Sequence, residues 1–506
     1  MRRGSRERSK TGFGGTVGTR IAIAAVLTAL LVVSPVSATM AGEIGELTPG
    51  LEAPSDYRVS TDGTAPLTAA SGVLPAAGLF ESERAMILQQ TNSLRAANNL
   101  PPLRLNAALN DIAQDWSTQQ ARAGAMSHRE GFYLLYPSGW SRASENVAAG
   151  FSPSAVVGAW ANSPGHRANL LSTNTDIGIG IAVNSSGRLY YTQNFGRYTT
   201  PPPTPPGDVN RISGSDRFST SAQISLRTFP GGASTVYVAS GFDFPDALSA
   251  AALAGAADGP LLLVTSTGVP SVILTELRRL DPDRIVVAGG PGVVADAVLT
   301  TLRTVTPNVD RIFGSNRFET SRNLARDAYD QAGASTVYLA TGFGYADALA
   351  AGPAAASVDA PVVLVPGMLD EIDPNTLDLL NDLSTTQVVI VGGVGAVSAG
   401  IEESLVREGF SVDRIAGADR YATAALIASS HFPDAPRSYL ATGSGFADAL
   451  SGGAAAGALG APLFTVRTGC VPIDAHTALR NQGPDDIVLL GGLGALTPVV
   501  AGFYRC

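Results

Sequence analysis

From residue 208 to the C-terminus, apolar residues come in short unbroken runs with no polar alternation inside them. "TVYVASG", "TVYLATG" and "RSYLATG" open three such series, "PLLLV", "PVVLV" and "PLFTV" follow, and "VVAGGPGVV", "VIVGGVGAV" and "LLGGLGAL" close them. Runs this short and this apolar predict parallel strands buried on both faces, with the Ala/Gly-rich segments between them supplying the covering helices. Upstream the pattern differs. Ile87, Leu88, Thr91, Leu94 and Arg95, then Leu105, Leu109, Ile112, Ala113 and Trp116, recur at helical spacing. "IGIGIAV" and "LYYTQNF", separated by "NSSG", predict two strands and a turn. All three tryptophans (116, 140 and 160) fall between 80 and 200, which marks this region as a separate α+β domain.

The downstream series repeat. Arg211, Arg311 and Arg414 each begin "RI", and Asp246, Asp347 and Asp448 each begin "DAL", at a period of about 100 residues. That is too long for a solenoid unit of ~20–50 residues and predicts three similar small α/β domains. "TTPPPTPPG" at 199–207 predicts a semi-rigid polyproline spacer. The chain therefore divides into a targeting segment (1–38), a spacer rich in small residues (39–79), the α+β domain (80–198), the proline linker (199–207) and three repeats at 208–308, 309–411 and 412–506.

The targeting segment has basic residues ahead of the apolar run "IAIAAVLTALLVV" and a small-residue site, "VSA". This is the pattern of an export signal cleaved after Ala38 or Ala41, and the run is short for a membrane span. Removing 1–38 takes away six basic residues and one acidic, leaving 28 basic groups against 42 acidic and a net charge near −14. Such a balance argues against nucleic acid or an anionic membrane as a partner, so any anionic ligand must be met by local arginine clusters. Cys470 and Cys506 are the only cysteines, and in an exported chain they predict one disulfide closing a loop of about 36 residues.

The turns "GGPGVV", "GGVGAV" and "GGLGAL" lack the third glycine of a dinucleotide-binding loop and read as tight strand-to-helix turns. A second motif, "SGSDRFSTS", "FGSNRFETS" and "AGADRYATA", is the more informative. Its glycines (214, 314, 417) turn the chain out of a strand, and its threonines (220, 320, 423) suit the first turn of a helix. Arg217, Arg317 and Arg420 leave two readings open. Each pairs with an aspartate (Asp246, Asp347 or Asp448) to hold a loop, or each presents its planar fork to a phosphate or carboxylate, with three weak sites gaining by avidity.

With "DALSAAALAG" and "RIVVAGG", these motifs resemble the cell-wall-binding repeats of Gram-positive bacteria across 208–506. The resemblance implies three assembled Rossmann-like domains that hold a protein non-covalently on anionic wall polymers at the cell surface. Upstream, "NSLRAANNLPPLRLNAALNDIAQDWS", "MSH", "SENVA", "WANSPGHRANLL" and "YYTQNFG" resemble the bacterial branch of the CAP superfamily (cysteine-rich secretory, antigen 5, pathogenesis-related) over about 80–197. That implies an α-β-α sandwich with His128, Glu145 and His166 in its cleft. Two imidazoles and a carboxylate suit a divalent metal such as Zn2+. The chain departs from the eukaryotic pattern at Ser163 and Tyr190, which stand where a second glutamate and a further histidine occur.

Together these readings predict a secreted surface protein, anchored by its repeats and displaying a CAP cleft that binds a small or lipidic ligand or a metal. The alternatives are a metal-dependent hydrolase acting through that cleft, or a self-assembling surface layer. No Gly-x-Ser-x-Gly, His-Glu-x-x-His or cysteine nucleophile marks a hydrolase.

Overall fold

A computed structural model describes residues 80–506; the targeting segment and the spacer lie outside the described residues. The first domain is built on strands β1 (Arg104–Leu105), β2 (Trp140–Ala149), β3 (Asp176–Val183) and β4 (Leu189–Tyr198), in sheet order β1-β3-β4-β2. The alternation in "IGIGIAV" sorts its two faces. Ile177, Ile179 and Ile181 point into a core with Ile87, Val156, Trp160 and Leu170 from helices Glu81–Ala96, Val156–Asn162 and Pro164–Leu170. Gly178 and Gly180 face the helix Ala107–Ala123 so closely that an added Cβ would lie 2.0 Å from the Leu109 carbonyl carbon or 2.1 Å from the Ala113 carbonyl oxygen. Glycine therefore lets the second helix layer sit on the sheet, completing the α-β-α sandwich.

Two details differ from the spacing argument. Leu105 lies in β1 and is exposed, because the next helix starts at Ala107, where the Asn106 side chain accepts from the amides of Ala108 and Leu109. Arg95, on the buried face of its helix, is not an apolar surrogate. Its guanidinium donates to the carbonyls of Pro101, Leu170, Ser172 and Asn174 and so pins two loops.

The repeats contribute β5 (Asp208–Ile212), β6 (Thr235–Ser240), β7 (Leu261–Val264), β8 (Arg284–Ala288), β9 (Val309–Ile312), β10 (Thr336–Thr341), β11 (Val362–Val365), β12 (Gln387–Val391), β13 (Ser411–Ile415), β14 (Arg437–Thr442), β15 (Leu463–Val466) and β16 (Asp486–Leu490). They form three parallel sheets, ordered β7-β6-β8-β9, β11-β10-β12-β13 and β15-β14-β16-β5. The fourth strand of each sheet belongs to the next sequence repeat, and the strand that opens the first repeat closes the third sheet, with Leu490 opposite Ile212. The positions 309 and 412 mark the period of the sequence, whereas the sheets are offset from it by one strand. The exchange is cyclic, so no single repeat contains a whole sheet.

Helices Pro245–Ala256, Ala351–Ser357 and Ala447–Ala458 meet between the three sheets. Their small residues allow this: a Cβ on Gly457 would lie 2.7 Å from Ala356 Cβ, and one on Gly255 3.1 Å from the Ala454 carbonyl oxygen. One hydrophobic core runs continuously through parts of all three sheets. At one end of these helices Phe244, Tyr345 and Phe446, one from each repeat, pack as an aromatic trio with ring centroids 5.4–6.1 Å apart.

The proline linker is held against the third repeat at two points. Arg480 donates to the Thr204 carbonyl oxygen at 2.7 Å, and Gly207 lies against the backbone of Pro484 and Asp485. The CAP sandwich itself is docked on the third sheet. Arg211, at the end of β5, places Nε and Nη2 on the two carboxylate oxygens of Asp111 at 2.8 and 2.7 Å, and both side chains are only 6% exposed. The equivalent arginines find their acids inside the repeats: Arg311 pairs with Asp296 and Arg414 with Glu402. Between Gly491 and Cys506 there is no acidic residue, and the CAP domain supplies the missing one. The disulfide Cys470–Cys506 joins the C-terminus to the turn that follows β15, with Cα atoms 5.4 Å apart. No helix of the described residues is long and apolar enough to cross a membrane.

Candidate functional site

In the CAP domain, the loop ahead of β2, β2 itself and the short helix Pro164–Leu170 bring His128, Glu145 and His166 together. Glu145 lies on β2 opposite Asn194 of β4, and its side chain is 1% exposed. Its Oε1 accepts the Arg129 amide at 3.0 Å and lies 2.8 Å from His128 Nδ1. A buried carboxylate thus orients an imidazole that is itself 38% exposed. His166 sits on the short helix Pro164–Leu170, its ring centroid 6.4 Å from that of His128. Burial, with the neighbouring His128 adding to it, lowers the His166 pKa below the ordinary histidine value, which keeps the ring neutral at pH 7. Glu145 Oε2, His166 Nδ1 and both polar atoms of the Asn194 side chain are buried without a hydrogen-bond partner.

The supporting shell was not singled out by sequence reasoning, although its residues lie in the quoted motifs. Asn169 donates to the Glu145 carbonyl oxygen and to Asn146 Oδ1, Asn146 to the His166 carbonyl oxygen, and Gln193 to Thr91. These amides fix the backbone on which Glu145 and His166 ride. Tyr190, at the position that departs from the eukaryotic pattern, is fully buried in a small apolar cluster with Ala121, Ala149 and Ala182.

Among the described residues no group of three His, Cys, Asp or Glu side chains is placed to hold a metal ion, and Glu145 Oε1 is committed to His128 and the Arg129 amide. Nor does any hydroxyl or thiol of the described residues hydrogen-bond to either imidazole as a nucleophile would. What the arrangement offers is an oriented, solvent-facing imidazole beside a neutral one, with buried acceptors behind them.

In the repeats, the arginine motif lies where the chain crosses from one sheet to the next. Thr220, Thr320 and Thr423 accept the amides of Gly214, Gly314 and Gly417 at 3.0–3.1 Å, which ties each crossing loop to its helix. Asp216, Asn316 and Asp419 cap the helices Arg217–Thr228, Arg317–Tyr329 and Arg420–His431. Arg217, Arg317 and Arg420 then donate to the carbonyls of Gly241, Gly342 and Gly443, just past β6, β10 and β14, at 2.5, 2.8 and 2.7 Å.

Neither open reading of these arginines describes this contact. No ion pair joins them to Asp246, Asp347 or Asp448 among the described residues; the aspartates lie one repeat away, Asp246 facing Arg317 and Asp448 facing Arg217 and Arg211 across the seam. Each aspartate packs on the double-glycine turn that ends its own sheet's third strand. A Cβ on Gly289, Gly392 or Gly491 would lie 2.8, 3.1 or 2.3 Å from Oδ2 of Asp246, Asp347 or Asp448, and all three glycines have positive φ. Burial, reinforced by Asp243, raises the Asp246 pKa to about 6. Each seam is therefore one arginine, a backbone carbonyl and a half-buried carboxyl group.

The comparisons with known proteins agree with this geometry. Residues 88–195 match the cysteine-rich secretory protein family, and 211–299, 311–402 and 414–501 each match cell wall binding domain 2. The chain is 28% identical over 293 residues to the N-acetylmuramoyl-L-alanine amidase LytC of Bacillus subtilis, covering 58% of this chain and 57% of that protein. It is 31% identical over 118 residues to the uncharacterized protein YkwD of the same species, covering 22% of this chain and 45% of that one. Among solved structures, Cwp6 from Clostridium difficile superposes with a TM-score of 0.54 at 25% identity, over 60% of this chain and 48% of its own. Cwp8 from the same organism gives 0.53 at 27%, over 58% and 51%. The chain thus spans little more than half the length of these relatives at most. With three matched repeats occupying over half of its residues behind one cysteine-rich secretory domain, the chain belongs to the cell wall binding domain 2 family and is a protein of the cell wall or cell surface.

Proposed function

We propose that the mature protein is exported, that its three repeats hold it non-covalently on an anionic wall polymer, and that its CAP domain presents the His128–Glu145–His166 cleft to a small extracellular ligand. The observation that carries the anchor reading is the cyclic strand exchange, which places three equivalent strand ends in one fixed body. Open α/β sheets bind ligands at the carboxyl ends of their strands, where Arg217, Arg317 and Arg420 stand. Three weak sites in fixed geometry give avidity on a repeating polymer without any one of them being strong. The exposed, carboxylate-oriented His128 supports ligand binding in the cleft better than hydrolysis, for which the described residues supply neither a nucleophile nor a metal set.

The test is co-sedimentation of residues 39–506 with purified walls before and after chemical removal of their anionic polymers. Binding that vanishes on stripping, and that weakens with salt, is the expected result; equal binding to stripped walls would overturn the polymer assignment. N-terminal sequencing of exported protein should begin at Thr39 or Gly42.

A further inference from the structure

Phe242 and Phe343 hold equivalent places immediately after the glycines that end β6 and β10. They are 57% and 68% exposed, unusually open for phenylalanine. Each ring is braced edge-on by the aromatic residue of the arginine motif, Phe218 at 5.7 Å and Phe318 at 5.4 Å, so neither is a loose loop side chain. The Arg217 guanidinium carbon lies 5.7 Å from the Phe242 ring, and the exposed carboxylate of Asp243 follows next in the chain. At the second seam, Arg317 holds the carbonyl of Gly342, directly before Phe343. The third repeat has Ser444 at this place, and the ring of Tyr421, the counterpart of Phe218 and Phe318, has Arg467 over it at 5.6 Å.

Resting on the anchor reading above, we infer that Phe242 and Phe343 are stacking platforms for sugar units of the wall polymer, two of them on three seams. A pyranose ring presents a face of C–H bonds that packs on an aromatic face, and its rim of hydroxyls both donates and accepts hydrogen bonds. A single braced ring with a donor (Arg217) and an acceptor (Asp243) beside it fits that chemistry. A protein or acyl-chain partner would call for a contiguous apolar patch, whereas Arg217 and Asp243 flank the Phe242 ring.

The experiment compares the unaltered 39–506 chain with the double variants F242L/F343L and F242W/F343W, and with Ser444→Phe. Binding is measured to walls, to solubilised polymer and to vesicles of anionic phospholipid. Both rings are exposed, so melting temperatures should stay within about 2 °C of the parent. The leucine variant should bind polymer at least about tenfold more weakly, the tryptophan variant should keep parental affinity, and Ser444→Phe should tighten binding. Unchanged binding by F242L/F343L to walls that hold the parent would overturn this inference alone. Failure of the parent on polymer-bearing walls would overturn the anchor reading and this one with it. Parental binding to vesicles but not to polymer would replace the sugar with a lipid surface.

Discussion

Replacing Asp111 with alanine removes the acid that the CAP domain lends to the third sheet. Arg211 keeps its Nη1 bonds to the carbonyls of Gly491 and Gly492 but loses its bidentate partner, and its guanidinium, 6% exposed, is left with the more distant charges of Asp448 and Asp115. Breaking a buried, bidentate pair by deleting one partner costs about 3–5 kcal/mol, far more than an exposed pair contributes. Arg211→Ala strands the carboxylate in turn and also frees the two carbonyls at the point where the cycle of sheets closes. The two single variants and the double variant form a cycle that can be read by urea unfolding with two probes. Tryptophan fluorescence reports the CAP domain alone, because Trp116, Trp140 and Trp160 all lie there; far-UV circular dichroism is dominated by the repeats. Asp111→Ala should lower the midpoint in both signals, and the double variant should recover about 2 kcal/mol or more relative to the sum of the singles. Additivity within about 0.5 kcal/mol, or a CAP transition shifted while the repeats stay put, would refute the idea that this pair couples the two bodies.

Three further outcomes follow from the same structure. Gly457→Val should destabilise the repeats by about 1–3 kcal/mol through the clash with Ala356, whereas Gly494→Val, with nothing within 4 Å of its Cβ position, should be much milder; thermal unfolding separates them. Because burial raises the Asp246 pKa to about 6, its neutral form favours the folded state; that contribution is complete below the unfolded aspartate value and is lost as pH rises through about 6. Asp246→Asn should therefore gain stability relative to the parent between pH 5 and pH 7.5, as paired denaturation curves would show. Replacing Cys470 and Cys506 with serine opens a loop of 36 residues and should cost about 3–4 kcal/mol in the third sheet, measurable by parallel melts with and without reductant on the parent.

The CAP cleft was legible as three residues and no more. His128, Glu145 and His166 stand out because histidine is rare in this chain, with four in all. Asn146, Asn169 and Gln193 belong to the same site, but an asparagine in a loop or strand carries no periodic signal that separates a network member from a surface residue. The zinc expectation came from residue types. In the structure one oxygen of Glu145 serves both His128 and a backbone amide, while Glu145 Oε2 and His166 Nδ1 have no hydrogen-bond partner.

By itself the amino-acid order determined the local elements. Unbroken apolar runs could only be strands covered on both faces, the alternating glycines of "IGIGIAV" prepared one face of a sheet for a helix, and the threefold period declared three like bodies. The tertiary structure alone decided which sheet each "RI" strand joins, what the arginines of the seam hold, and how the CAP domain is carried. A five-residue strand such as Asp208–Ile212 has the same local preferences wherever it pairs. Its place beside β16, nearly 280 residues along the chain, depends on the closure of the whole cycle of sheets. The partner of Arg211 likewise depends on a missing acid after Gly491 and on a carboxylate 100 residues upstream, two facts that meet only in three dimensions.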